Sequence, residues 1–391
     1  MTKQKILFIL AGISLFVVTM GLSFLIFSKV NSRSGFLSPE GTPTSTAKKS
    51  RIDPSIPRTE VCPLNGALFT KQEKDIWSTR RPLAVMIENH LDSRPLSGLS
   101  SADIVYEAVA EGGITRFMGI YYCGAAGDNL TLAPVRSARI YYTKLLSEYD
   151  ALYAHVGGAG NCDDPTVDER AKALCFIRRN KIKDMDQFGL DFKTCHRITN
   201  RTDKEVAYEH TMACFTDELY KVAAKRGWTN VDENFKAKPA WDKNFVSWKF
   251  KTDASEKGAV NKIAFAFWSN KPDYDVVWDY DSATNSYRRS TGGQKDIDHN
   301  YDEQTDARNV VIQFVKETGP LDEHLHMYYE VVGTGKMLLF QDGQVISGTW
   351  SKPTLTSRTK FKDAKGVEVQ FNTGRVWIEL IPSGNEIDYA K

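Results

Sequence analysis

The sequence predicts an α/β (or α+β) N-terminal domain, a mostly antiparallel β C-terminal domain, and one transmembrane helix ahead of both. Three observations support this. Strand-like and helix-like patterns alternate over residues 61–230, as in mixed layered folds. From residue 241 to 391 only short β-type runs separated by turn residues occur. Ile6 to Phe27 carries no charge and is long enough to cross a hydrocarbon core as a helix.

Taken in order, residues 1–5 form a short tail with Lys3 and Lys5, and residues 6–28 the anchor; Lys29 and Arg33 follow. This charge balance favours a cytoplasmic N-terminus only slightly. A cleaved signal peptide is the competing reading, against which stand the length of the apolar run and the lack of a clear small-x-small cleavage site. Residues 29–60, rich in Ser, Thr, Pro and Lys, bury too little apolar surface to fold and read as a disordered tether.

Within residues 61–230, Leu83 to Ile87 is an apolar run ending in Glu88, Asn89 and His90. A second run begins at Asp103 and ends near Glu111 and Gly112-Gly113. Neither alternates, as suits strands covered on both faces. Thr115 to Cys123 and Asp150 to His155 read as further strands. Arg139 to Tyr149 reads as a helix with Ser137 as N-cap, and Asp164-Pro165 as the start of another. A third starts at Thr216, with Leu219, Val222 and Ala223 on one face and Gly227 ending it. In residues 241–391, β-type runs are expected at 263–267, 276–280, 309–314, 327–332, 337–340, 345–350, 367–371 and 376–380. Asp342-Gly343 is a two-residue hairpin signal. Aromatics are frequent there, and most of Trp268, Trp278, Tyr280, Trp350 and Trp377 are expected in the core.

All six cysteines follow the anchor, and none forms a C-x-x-C pair. Sequence proximity favours Cys162 with Cys175, Cys195 with Cys214, and Cys62 with Cys123, with free core thiols as the alternative. Disulfides would place the chain outside the cytosol. The expected location is therefore the cytoplasmic membrane, single-pass, with the bulk of the chain extracytoplasmic and the bilayer as partner to residues 6–28. A net charge of +2 gives no reason to expect nucleic acid.

Common catalytic fingerprints are absent: the chain has no H-E-x-x-H, G-x-S-x-G or phosphate-cradling loop. The sharpest candidate is Pro134-Val-Arg-Ser-Ala-Arg139. With Ser137 as cap, Arg136 and Arg139 would flank a helix start and hold a phosphate or carboxylate; the plainer alternative pairs both with acids such as Glu107 or Glu111. Asn89, His90, Arg94 and Arg116 are further candidate ligand-binding residues. Glu88 or Glu111 could act as a general base, and His155 and His210 could move protons. Each is as readily a satisfied structural residue. Asp296 to Glu303 fails the calcium-loop pattern, because Tyr301 stands where glycine is needed, and reads as a solvated acidic loop. His324 and His326 lack a third ligand. No metal and no cofactor is expected.

The run RPLAVMIENHLDSRPLSGLSSADIVYEAVAEGGITRF at residues 81–117 stands in order with PVRSAR at 134–139, HVGG at 155–158 and EQTDARNVVIQF at 303–314. On these motifs the chain resembles the YerB-like family of bacterial lipoproteins over about residues 80–382. The resemblance implies an extracytoplasmic protein with an N-terminal and a C-terminal family domain, and no established reaction. One departure is plain: no cysteine stands near the apolar segment for lipid attachment, so an apolar helix takes the place of the lipid. The expected function is an envelope protein binding an anionic cell-wall polymer or an envelope protein such as a wall-synthesis partner. The alternative is a cell-wall hydrolase or transferase working from a Glu/His/Arg cleft.

Overall fold

The unalternating apolar runs become strands buried on both faces: β1 (Leu83–Glu88), β2 (Ile104–Glu111) and β3 (Ile114–Tyr121). The computed structural model describes residues 52–390 apart from 54 and 234–239. In it these strands join β4 (Leu152–His155), β5 (Lys183–Asp186), β6 (Asn309–Val315), β7 (Gly333–Gln341), β8 (Gln344–Lys352), β9 (Lys360–Asp363) and β10 (Val376–Pro382). All ten form one sheet in the order β9-β8-β7-β6-β10-β2-β3-β1-β4-β5.

One sheet therefore runs through both halves of the sequence. β10 pairs in parallel with β6 on one side and with β2 on the other. In the register of that second pairing Glu379 lies opposite Glu107. The outer strands β6 to β9 are antiparallel. The β7–β8 turn is the anticipated Asp342-Gly343, with φ of 56° and 65°, the left-handed pair that a two-residue hairpin requires. A smaller antiparallel sheet contains Lys262–Phe265, Val276–Asp281 and Ser286–Thr291. Trp278, Trp350 and Trp377 are buried, whereas Trp268 and Tyr280 are half-buried.

Helices are short. Ile140–Leu146 and Ala173–Arg179 have seven residues each, and Thr216–Lys225 has ten. The described chain is accordingly mostly β, with less helix than an α/β first domain implies. Three local expectations need correction. Ser137 is not an N-cap: Arg139 holds extended backbone (φ −128°, ψ 143°), so the helix starts at Ile140 with no side-chain cap. No helix starts at Asp164, because its carboxylate accepts from the amide and hydroxyl of Thr166 at 2.9 and 2.7 Å and holds a local turn instead. Regular structure begins before residue 61, in the strand Arg58–Val61 paired with Leu68–Thr70. The expected anchor at 6–28 lies outside the described residues. Among the described residues no helix is long and apolar enough to cross a membrane.

Disulfides join Cys62 to Cys123, Cys162 to Cys175 and Cys195 to Cys214, the pairings that proximity favours. The first spans 61 residues of chain and sits against the start of β2, where Cys62 Sγ lies 3.8 Å from the buried Asp103 carboxylate. Loop-closure entropy assigns such a crosslink about 4 kcal/mol. A Cys62→Ser, Cys123→Ser double variant should lose stability of that order in urea unfolding, more than the loss from opening Cys162–Cys175, which spans 13 residues.

Candidate functional site

Polar side chains gather where β1 and β2 end and β3 begins. Glu88 closes β1 and lies opposite Arg116 in the β1–β3 register. Its carboxylate is nearly fully buried and divided between two partners. Oε2 accepts from His210 Nδ1 at 2.8 Å, and Oε1 lies 3.0 Å from Arg136 Nε, an ion pair whose N–H is not aligned for a hydrogen bond. The His210 ring stacks on His90, centroids 4.6 Å apart.

A second charged knot lies beside the first. Glu111 accepts from Arg116 at 2.7 Å and from Arg139 Nε at 3.1 Å. Burial pushes the Glu111 carboxyl up, but Arg116 and Arg139 together outweigh it and hold it well below the usual range. A carboxylate clamped by two guanidinium groups makes a poor general base. Arg116 also donates to Ser137 O at 3.0 Å, so Ser137 contributes a carbonyl here and no cap.

These pairings decide the arginine motif. Arg136 is engaged by Glu88 and Arg139 by Glu111, as in the plainer alternative, and they do not form one anion clamp at a helix start. His155 stands apart. It is fully buried on β4, with Nδ1 donating to Gly157 O at 2.7 Å and Nε2 2.8 Å from Asp184, so neither nitrogen is free for a substrate. The four candidate catalytic groups, Glu88, Glu111, His155 and His210, therefore separate into three neighbourhoods.

The remaining candidates open a different place. Asn89 donates to Thr115 Oγ1 at 2.7 Å and to Glu107 at 3.3 Å, and its own Oδ1 accepts from Arg94 Nε at 3.0 Å. The rest of the Arg94 fork reaches only backbone carbonyls, Asn89 O at 3.2 Å and Asp273 O at 3.4 Å. Burial pushes its pKa down, and the nearby Arg289 adds to this, with Asp296 opposing. Arg94 lines a cavity of about 440 Å³ between the two halves, large enough for a small ligand. Leu91, Pro95 and Leu96 supply an apolar wall on the first-half side; Arg289, Lys295 and Trp377 face them from the second. Lys204 lies at the rim and donates to Arg94 O at 3.0 Å. Among the described residues neither Arg94 nor Lys204 forms an ion pair with a carboxylate.

Sequence reasoning missed most of this cavity. Arg289 and Trp377 become neighbours of Arg94 only through pairing across the halves, and Lys204 reaches it by a hydrogen bond within the first half. One signal was present: in Ser286–Thr291 strand alternation obliges one of Arg288 and Arg289 to face inward, and Arg289 does. The acidic loop is not simply solvated. Asp298 is buried and accepts from Gly98 N at 2.9 Å and Ser100 N at 2.7 Å, fastening the second half to the first. Asp296 pairs with Arg289. His326 is held by Asp322 at 2.9 Å.

Fold and site thus define a mostly β protein whose two sequence halves share a sheet and enclose at their seam a cavity lined by Arg94, Lys204, Arg289 and Lys295 together with Asp296, Asp298 and Asp302. The chain belongs to the family of proteins of unknown function DUF3048: the model of its N-terminal domain matches residues 68–229 and that of its C-terminal domain residues 263–378. It is similar to the "Putative lipoprotein YerB" of Bacillus subtilis (strain 168), 28% identical over 331 residues, which are 84% of this chain and 88% of that protein. The crystal structure of the YerB protein from Bacillus subtilis matches with a TM-score of 0.66 at 27% identity, covering 84% of this chain and all of that one.

Proposed function

We propose that this chain is a membrane-tethered, extracytoplasmic binding protein of the bacterial envelope that takes an anionic cell-wall component into the seam cavity. The observation that carries this reading is Arg94: a half-buried guanidinium facing the cavity, hydrogen-bonded to neutral oxygens only. A carboxylate or phosphate would complete its charge, Lys204 would steer the approach, and the Leu91, Pro95 and Leu96 wall would receive an apolar portion of the ligand. Export accords with the three disulfides and with the lipoprotein relative. Binding is favoured over hydrolysis because Glu111 is held ionised by two arginines and His155 is fully engaged.

The experiment is retention of the full-length chain on purified wall material. The Arg94→Ala, Lys204→Ala double variant should lose at least tenfold in affinity, since a hydrogen bond to a charged group contributes about 1.5–3 kcal/mol. Arg136→Ala, whose guanidinium is already paired with Glu88, should change retention little. Unchanged retention by a folded Arg94, Lys204 double variant overturns the reading.

A further inference from the structure

We propose that His90, Asp92 and His210 bind a divalent transition-metal ion of the zinc type, beside the cavity and independently of the anion. His90 stands at the head of the short turn Leu91–Ser93, Asp92 lies within that turn, and His210 lies in the turn Tyr208–Thr211. The two turns bring one ligand atom from each of the three residues within 4.8 Å of one another.

Two features distinguish this group from a packed histidine pair. The first is the protonation pattern. Glu88 can only accept from His210 Nδ1, so that nitrogen carries the proton and Nε2 presents a lone pair. His90 Nδ1 accepts from the Asp92 amide at 3.3 Å, so that nitrogen carries a lone pair, and ligation through it exchanges this hydrogen bond for the metal. In its neutral form each ring therefore keeps one unprotonated nitrogen for a metal, Nε2 of His210 and Nδ1 of His90. The second is the layer behind the ligands. Glu88 fixes His210, and Arg136 fixes Glu88, which is the carboxylate–histidine arrangement that orients imidazoles on metals.

The spacing asks for a modest closure. His90 Nδ1 and Asp92 Oδ2 are 3.6 Å apart, close to the edge of about 3.4 Å in a tetrahedron with metal–ligand distances near 2.1 Å. The stacked rings, inclined by 14°, must tilt so that both lone pairs converge. The parts that must move are the accessible ones: the His90 and Asp92 side chains are 31% and 65% exposed, while His210 is 8% exposed and held. Two imidazoles with one carboxylate select zinc, cobalt or nickel over calcium or magnesium, and three protein ligands leave one position open to water.

The test is equilibrium dialysis of the full-length chain against zinc chloride, with cobalt chloride as the spectroscopic probe. The expected result is a single bound equivalent and the visible absorption of tetrahedral cobalt. Asp92→Asn and His90→Ala, both at accessible positions, should each weaken binding at least tenfold with unchanged circular dichroism. Glu88→Gln, which acts through His210, should weaken it about tenfold to a hundredfold. Lys295→Ala, an exposed position on the opposite wall of the cavity, should leave metal binding unchanged, which separates this site from the anion cavity. Absence of zinc and cobalt binding in the wild type overturns the proposal, as does wild-type affinity in the folded Asp92 and His90 variants.

Discussion

Glu148→Ala is expected to destabilise the chain by roughly 3–5 kcal/mol, the cost of leaving a buried charge without its partner. Glu148 follows the helix Ile140–Leu146 in the first half, and every strong partner but one comes from the second. Lys352 donates at 3.1 Å, Arg358 pairs with Oε1, and Thr359 donates from its amide at 2.9 Å and its hydroxyl at 2.7 Å. The exception is Tyr106 at 3.3 Å. Lys352 and Glu148 side chains are both at 0% exposure, so truncation strands an ammonium in the interior. Urea unfolding at neutral pH measures the loss.

The pH dependence has a definite sign. Burial pushes the Glu148 carboxyl up, but Arg358, Lys352 and Thr359 outweigh it and leave it below its ordinary 4.5. The group therefore contributes stability above about 4.5 that is lost as pH falls through its folded value. The wild type should lose this contribution in acid, and the gap to Glu148→Ala should narrow there.

The second large effect is expected at Arg289. Its guanidinium is 1% exposed and pairs with Glu107 and Asp296, with Glu379 at 3.9 Å. Glu107 and Glu379 face each other across the β2–β10 register at 0% exposure, so Arg289 neutralises the join between the halves. Arg289→Met should destabilise by at least roughly 3 kcal/mol. Adding Glu107→Gln should recover part of it, with a coupling of about 1–3 kcal/mol in a double-mutant cycle.

Glu379 behaves oppositely to Glu148. Burial first and Glu107 next raise its carboxyl well above 4.5, with Arg289 pulling it back. The folded chain keeps a proton that the unfolded chain releases, so stability declines as pH rises above about 4.5 toward the folded value. Glu379→Gln should therefore gain on the wild type as pH increases.

What could be read from the sequence follows from how local its causes are. β1, β2 and β3 declare themselves because strands covered on both faces need unbroken apolar runs, and the β7–β8 hairpin because Asp-Gly satisfies two left-handed positions. The cysteine pairs follow from proximity. The helix Lys71–Trp77 was legible yet unread: Thr70 and Glu73 form a capping box, each side chain bonding the other's backbone amide. The seam was not legible. Trp377 meets Val105, and Glu379 meets Glu107, across more than half the chain, and no local pattern encodes that register. Arg136 and Arg139 were found as residues, but their charges were not available, because the carboxylates that pair with them arrive from β1 and β2 through the fold. Arg94 was found for its place after β1, whereas its freedom from carboxylate partners is a property of the seam.

The most direct measurement is a crystal structure of the full-length chain with a soluble wall fragment that it retains. The account predicts density for a carboxylate or phosphate against Arg94 in the seam cavity, with Lys204 drawn toward it. A fragment seated between Arg136 and Arg139 with the Glu88 and Glu111 pairs broken, or one bound away from Arg94 altogether, would contradict it.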